Sequence, residues 1–190
     1  MSDLSSIWRG AQRVREQQDR TVNALSCAGI KFALCGSNAT AVWIASVDES
    51  AVRQFRNVEI LLQRQEEKHA LLVLTQAGFT ERVVKDRTFF FDRDPFIQRF
   101  AHEITFASEP SWGRCSGFHA PCIEEITVVS GKPVVKLNAL VRLQLGRNRL
   151  DDAVDIRDMI DVEMIDQSWV SRFPAELANR LQELIDDPHG

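Results

Sequence analysis

Two short apolar runs constrain this chain more than anything else in it. Phe32-Ala33-Leu34-Cys35 ends in Gly36-Ser37. A segment of helical composition and a loop follow, and then Arg56-Asn57-Val58-Glu59-Ile60-Leu61-Leu62. Apolar runs of about four to eight residues read as buried strands. Gly36-Ser37 sits where the first strand hands over to the helix. Backbone N–H groups at a helix start point outward and suit an anion such as phosphate. Asn57 and Glu59 are two apart, so strand alternation puts both side chains on one face and Val58 on the other.

The chain has 190 residues, enough for one domain or one domain with an appended helical piece. We expect a single unit over 1–190, with an α/β core at 28–136 and C-terminal helices at 137–187 packed on it. Hydrophobic residues make up 44% and charged residues 26%, as in a globular protein with a real core. A net charge of −4 argues against extensive nucleic-acid binding, which needs a basic stripe. No apolar run approaches a membrane span, and Met1-Ser2-Asp3-Leu4-Ser5-Ser6 lacks the regions of a signal peptide. A cytoplasmic location with reduced thiols is the expectation, and four cysteines make no disulfide scaffold.

Along the chain, helical spacing of Ile7, Ala11, Val14, Val22 and Leu25 predicts a first helix over Leu4–Leu25, interrupted by Gln18. A short helix is predicted over Asn38–Ser46 and another over Gln65–Ala77, with Gly78 as its left-handed cap. Thr80–Val84, Thr88–Phe91 and Ile97–Ala107 read as antiparallel strands separated by turn residues. Two more short strands flank Ser130-Gly131-Lys132. From Leu137 onward the pattern is helical: Leu137–Leu145, then Leu150–Ile160 with Ala153, Ile156 and Ile160 inward, then a last helix opening at Phe173-Pro174.

Strand, Gly-Ser turn, helix, then a strand carrying paired polar and acidic groups resembles the nucleotidyltransferase fold. The tail strengthens the likeness: Leu140-Val141, Leu145, Asp152, Asp155 and Ile156 match a pattern of small bacterial nucleotidyltransferase-like proteins, including abortive-infection and toxin–antitoxin types. The resemblance covers roughly Phe32 to Ile160. It implies an α/β (α+β) fold, a short mixed sheet flanked by helices mainly on one side, with a C-terminal helical segment. It also implies a site in which an Asp-x-Asp pair and a third carboxylate hold two magnesium ions and a nucleoside triphosphate. Asn57 stands at the first Asp, Glu59 at the second, and Glu103 where the third carboxylate would lie. These are the candidate catalytic residues. Glu59 and Glu103 are the candidate Mg2+ ligands, and Gly36 and Ser37 the candidate nucleotide-binding residues. The family's usual Lys is Gln144.

The departures weaken such a site. Asn57 removes one negative charge, and Glu is longer than Asp, so the oxygens move; about 1 Å of displacement can cost on the order of a hundredfold in rate. The alternative is that Asn57, Glu59 and Glu103 are ordinary polar residues on an exposed sheet face, with Ser37 only a helix cap. Arg53, Arg56, Lys136, Arg142, Arg147 and Arg149 could meet phosphate, but most read as solvated charges, with Asp151, Asp152 and Asp155 near enough to Arg147 or Arg149 for pairs of small value. Cys115, His119 and Cys122 match no common zinc module and are expected to be metal-free; Cys27 and Cys35 read as buried. The functional expectation is a catalytically impaired nucleotidyltransferase-like protein that binds a nucleotide or a partner protein in a regulatory role. An active magnesium-dependent transferase, acting on a protein, RNA or small molecule, is the first alternative. A structural protein keeping only the frame is the second.

Overall fold

The computed structural model describes residues 4–55, 57–84, 87–93, 101–111 and 118–187. Among the described residues the α-helices are α1 Leu4–Cys27, α2 Gly36–Ala45, α3 Glu67–Gln76, α4 Leu137–Arg147, α5 Leu150–Asp161 and α6 Ala175–Asp186. The strands are β1 Phe32–Cys35, β2 Val58–Leu62, β3 Phe79–Val84, β4 Arg87–Asp92, β5 Ala101–Phe106, β6 Ile126–Val129 and β7 Lys132–Val135. All seven form one sheet in the order β3-β4-β5-β2-β1-β7-β6. It is mixed: β2 runs antiparallel to β1 and parallel to β5, and β1 runs parallel to β7.

Every residue of β1 and β2 is buried. Successive strand side chains point to opposite faces, so the centre of the sheet is covered on both sides, and this is why these runs are continuously apolar rather than alternating. Cover mainly on one side was the expectation, and the central strands correct it. On the face carrying His102, the α1 side chain Arg20 pairs with Asp92 and stacks on Phe79, whose ring meets His102 edge-on. On the face carrying Glu103, the corner between α4 and α5 closes the sheet through Arg149. The buried apolar residues form two groups. One joins α1, α3 and the central strands; the other joins Ile44 of α2 to α4, α5, α6 and the segment between them.

Several boundaries shift. β2 begins at Val58, leaving Asn57 at an exposed bend before the strand. α2 begins at Gly36 itself. α4 runs two residues past Leu145, which brings Arg147 into its last turn. α5 buries Asp152, Asp155, Ile156 and Met159, while Ala153 and Ile160 are half-buried. Gly78 does follow α3 with φ 94°, a conformation that suits glycine. Cys35 is buried but Cys27 is exposed, against expectation. Arg56, Cys115 and the 97–100 part of the third expected hairpin strand lie outside the described residues. No helix among the described residues is long and apolar enough to cross a membrane.

Gly146 decides how closely Phe118 approaches α4. A Cβ at Gly146 would lie 2.5 Å from the Phe118 ring, too close for any real contact. Gly146→Ala should therefore lower stability by about 1–3 kcal/mol through overpacking. The same change in a Phe118→Leu background should cost clearly less, because the smaller side chain yields space. Urea denaturation of the four proteins measures this; equal costs in both backgrounds would show that Phe118 is not the obstacle.

Candidate active site

The site begins with strand register. Glu59 on β2 is directly paired with Glu103 on β5, and Cys35 on β1 is paired with Glu59. Laterally paired residues of neighbouring strands share a face, so both carboxylates rise from the same side of the sheet. The structure thus brings two of the three expected acidic-site positions together. It leaves Asn57 outside the strand that carries Glu59.

Gly36 and Ser37 open α2 beside these carboxylates. Gly36 has φ 56°, in the left-handed region, and a Cβ there would meet the Glu59 carboxyl carbon at 2.5 Å. Glycine is required twice over, by backbone conformation and by the close seat of Glu59. Ser37 does not face an open cradle: its hydroxyl donates to Asp155 Oδ2 at 2.7 Å. Asn38 binds the strand to the first helix. Its Oδ1 accepts from the Glu59 backbone N–H at 2.7 Å, and its Nδ2 donates to Gln18 at 3.1 Å.

The residues that dominate the site lie in the corner between α4 and α5. Asn148 there takes the left-handed conformation (φ 49°, ψ 44°), which Asn tolerates better than most residues. That turn aims the arginines on either side of it at the same carboxylates. Arg147 donates to Glu59 Oε2 at 2.6 Å and to Asp152 Oδ1 at 2.6 Å. Its side chain is 2% exposed. Arg149 reaches Glu59 Oε2 at 3.2 Å, Asp152 Oδ2 at 3.2 Å and Glu103 Oε2 at 3.6 Å. Two guanidinium groups therefore sit among three carboxylates. Burial disfavours the charge on Glu59, but the adjacent Arg147 and Arg149 hold its pKa below the ordinary value. Arg147 is likewise held above its ordinary value, burial notwithstanding, by Glu59 and Asp152. Burial and then Glu59 push the Cys35 thiol up to about 12, so it is neutral and no nucleophile.

Sequence reasoning took Arg147 for a solvated charge and its pairs with aspartate for small ones. The structure corrects both points. Arg147 follows Leu143, Gln144, Leu145 and Gly146, all buried on one helix, but that burial shows only in the fold, so no local feature of the sequence marked Arg147. Asp155 was also missed. Besides Ser37 it accepts from Gln144 Nε2 at 3.0 Å and from Arg53 at 3.3 Å. Gln144 is a neutral amide whose Nε2 joins Asp155 to Thr40.

Magnesium requires near-octahedral oxygen ligation, and two-metal transfer places a second ion about 3.5–4 Å from the first. The residues here do not fit that demand. Glu59 and Glu103, the expected ligands, are engaged by cationic nitrogens, and a third cation would be repelled by two guanidinium charges. Among the described residues no group of three His, Cys, Asp or Glu side chains is arranged to hold a metal. A cavity of about 90 Å³ opens beside Glu103, lined also by Thr88, Thr105, Ser111, Arg64 and Arg147. Small-molecule sites usually run to about 300–1,000 Å³.

Comparison with solved structures identifies the frame. A candidate nucleotidyltransferase of H. pylori superposes with a TM-score of 0.57 at 15% identity, over 93% of this chain and 80% of that one. An antigenic nucleotidyltransferase-like protein from Paracoccidioides brasiliensis gives 0.55 at 13% identity, over 94% and 89%. The chain has the nucleotidyltransferase fold. The antibiotic-resistance factor ANT(2'')-Ia shares it as well, with a TM-score of 0.54 at 11% identity over 94% and 93% of the two chains. No protein-family model matches the sequence, and no curated protein does. At these identities the likeness concerns the fold, and the chemistry must be argued from the side chains.

Within this nucleotidyltransferase frame Asp155 is the titratable group of note. Burial pushes its pKa up from 3.8 to about 7; Ser37 and Arg53 oppose the rise, and Asp152 and Glu59 add to it. The folded state thus keeps a proton where the unfolded chain has lost it. The resulting stability is fully present below 3.8 and is lost as pH rises through 7. Asp155→Asn stays neutral throughout, so its stability relative to wild type should improve between about pH 4 and pH 8, by up to about 4 kcal/mol. Urea denaturation at both ends of that range tests it. A difference that does not change with pH would mean that Asp155 titrates as an ordinary carboxylate.

Proposed function

We propose that this protein is a catalytically impaired member of the nucleotidyltransferase fold that works by binding, with a nucleotide or a partner protein as its ligand, in a regulatory role. The observation that carries the reading is the engagement of Glu59. Its carboxylate lies against Gly36, where phosphate would approach the helix start, and is hydrogen-bonded to Arg147 and Arg149. A carboxylate in that place opposes a triphosphate in the transfer position at the helix start, so a nucleotide ligand would sit outside this turn, and the carboxylate oxygens are already occupied as acceptors. Ser37, the other member of the turn, spends its hydroxyl on Asp155. Asn57, exposed ahead of β2, supplies no negative charge.

One observation favours a second reading, an active transferase. Glu59 and Glu103 are held side by side on paired strands, as two-metal chemistry would need. Rearrangement of the α4–α5 corner would be required to free them.

Label transfer separates these readings. With magnesium and each of ATP, GTP, CTP and UTP, wild-type protein should transfer little or no label to itself or to added RNA. Where a trace exists, Asn57→Asp with Glu59→Asp should raise it, since charge and side-chain length are restored together in residues that act as a unit. Robust transfer by the wild type, abolished by Glu59→Ala, would overturn the impaired reading. Calorimetry with the four nucleotides then distinguishes a nucleotide-binding protein, which gives heat, from one that serves a protein partner.

A further inference from the structure

The acidic cluster of Glu59, Glu103 and Asp152 has the composition of a cation site, and it holds cations that belong to the chain. We propose that Arg147 and Arg149 are built-in counter-ions that take the place of divalent metal, so that this site is neutralised internally and does not recruit magnesium. The proposal rests on reading this face as the nucleotidyltransferase-type site, and it extends that reading to the electrostatic reason such a site would not take up metal.

Four features converge on it. Arg147 is almost fully buried and donates to two different carboxylates at 2.6 Å. Arg149 spans all three acids within 3.6 Å. The two arginines flank a single residue, Asn148, whose left-handed backbone turns both toward the cluster. Finally, Gly36 leaves the space that lets the Glu59 carboxylate sit deep enough to meet Arg147. Two positive and three negative formal charges leave a residue of −1, too little to hold a doubly charged ion that surrenders its water reluctantly. A guanidinium also presents planar N–H donors to carboxylate oxygens, a geometry that satisfies the oxygens as acceptors and leaves them poorly placed for octahedral metal.

The test uses the full chain without nucleotide and takes Mn2+ as probe. Bound ion is counted by the loss of the free Mn2+ spin-resonance signal, and stability is followed by thermal unfolding with and without Mg2+. Wild type should retain no stoichiometric Mn2+ and show no divalent-dependent shift in Tm. Arg149→Met removes the more exposed guanidinium, 33% accessible, and should fold. It should bind Mn2+ about tenfold or more tighter than wild type, because a unit charge close to the ion has been removed. Adding Glu59→Gln to that variant should abolish the gain. Arg147→Met with Arg149→Met should bind more tightly still, or fold only when divalent ion is supplied; if it does not fold at all, the single variant decides. Wild type binding Mn2+ as tightly as Arg149→Met would overturn the proposal, as would an Arg149→Met protein that gains none or one whose gain survives Glu59→Gln. Label transfer by wild type would instead count against the proposed function, and it is read in a separate assay that contains nucleotide.

Discussion

The buried guanidinium of Arg147 is the interaction on which the rest of the structure depends. A charge taken out of water is tolerated only when it is paired and hydrogen-bonded, and removing one partner of such a pair commonly costs about 3–5 kcal/mol. Arg147 meets this requirement through its two terminal nitrogens, with one carboxylate from the central strand β2 and one from the first turn of α5, while its Nε is buried without a partner. It therefore joins three elements at once: the sheet, the end of α4 and the start of α5. The two apolar groups found among the described residues, one around the sheet and one among the C-terminal helices, both draw on α4 and share Phe118 as a neighbour. Gly146 admits Phe118 on one side of Arg147, and Asn148 turns the chain on the other. Asp152 works twice, because its Oδ2 also accepts from the Arg149 backbone N–H at 3.2 Å and caps α5.

The opposite face of the sheet is organised by polarity too, but differently. Gln17, Gln18 and Thr21 of α1 are buried, where a purely apolar stripe would have been the simplest solution. Gln18 and Asn38 tie α1 to the Glu59 backbone, and Arg20 ties it to Asp92 at the end of β4. His102 lies beneath, pushed down to about 4 by burial and therefore neutral near pH 7. Directional contacts of this kind fix one seat for α1, where apolar packing alone would permit sliding along the helix axis. Glu59 thus has its backbone oriented from the α1 side and its side chain from the α4–α5 side.

Much of the frame was legible in the sequence, for a physical reason. Strands buried on both faces must be apolar throughout, so Phe32–Cys35 and the run ending at Leu62 announced themselves, and the glycine between strand and helix marked the turn. The likeness to the nucleotidyltransferase fold rested on that order. Glu59 and Glu103 were also correctly placed on strands. What stayed hidden was long-range. Nothing local separates Arg147 from a solvated arginine at a helix end; its main partner lies 88 residues away in sequence. Asp152 and Asp155 were read as partners of small value for Arg147 or Arg149, because their burial depends on Arg147, Ser37 and Gln144 arriving from elsewhere. Asn57 was drawn into the strand by alternation alone, while the ladder itself starts one residue later.

The difference between a metal ion and an arginine at such a site is one of mass action. An external cation stabilises its site by an amount that rises with its free concentration and vanishes when it is removed. A side chain of the same molecule is always present, at an effective concentration set by the fold. On the proposed reading, the cluster on this sheet keeps the same electrostatic balance at any magnesium level, and its geometry is coupled to folding instead of to an ion. Chemistry that relies on a metal to polarise phosphate or to activate an acceptor needs open coordination positions and exchangeable ligands. A guanidinium held by two carboxylates offers neither. The Glu59 carboxylate, seated against Gly36, is held from behind by Arg147 and Arg149 at the corner between α4 and α5, so the turn at Gly36 is tied to that corner. Any ligand of this face must therefore be recognised by what remains outside that joint, or must be strong enough to move the corner that closes it.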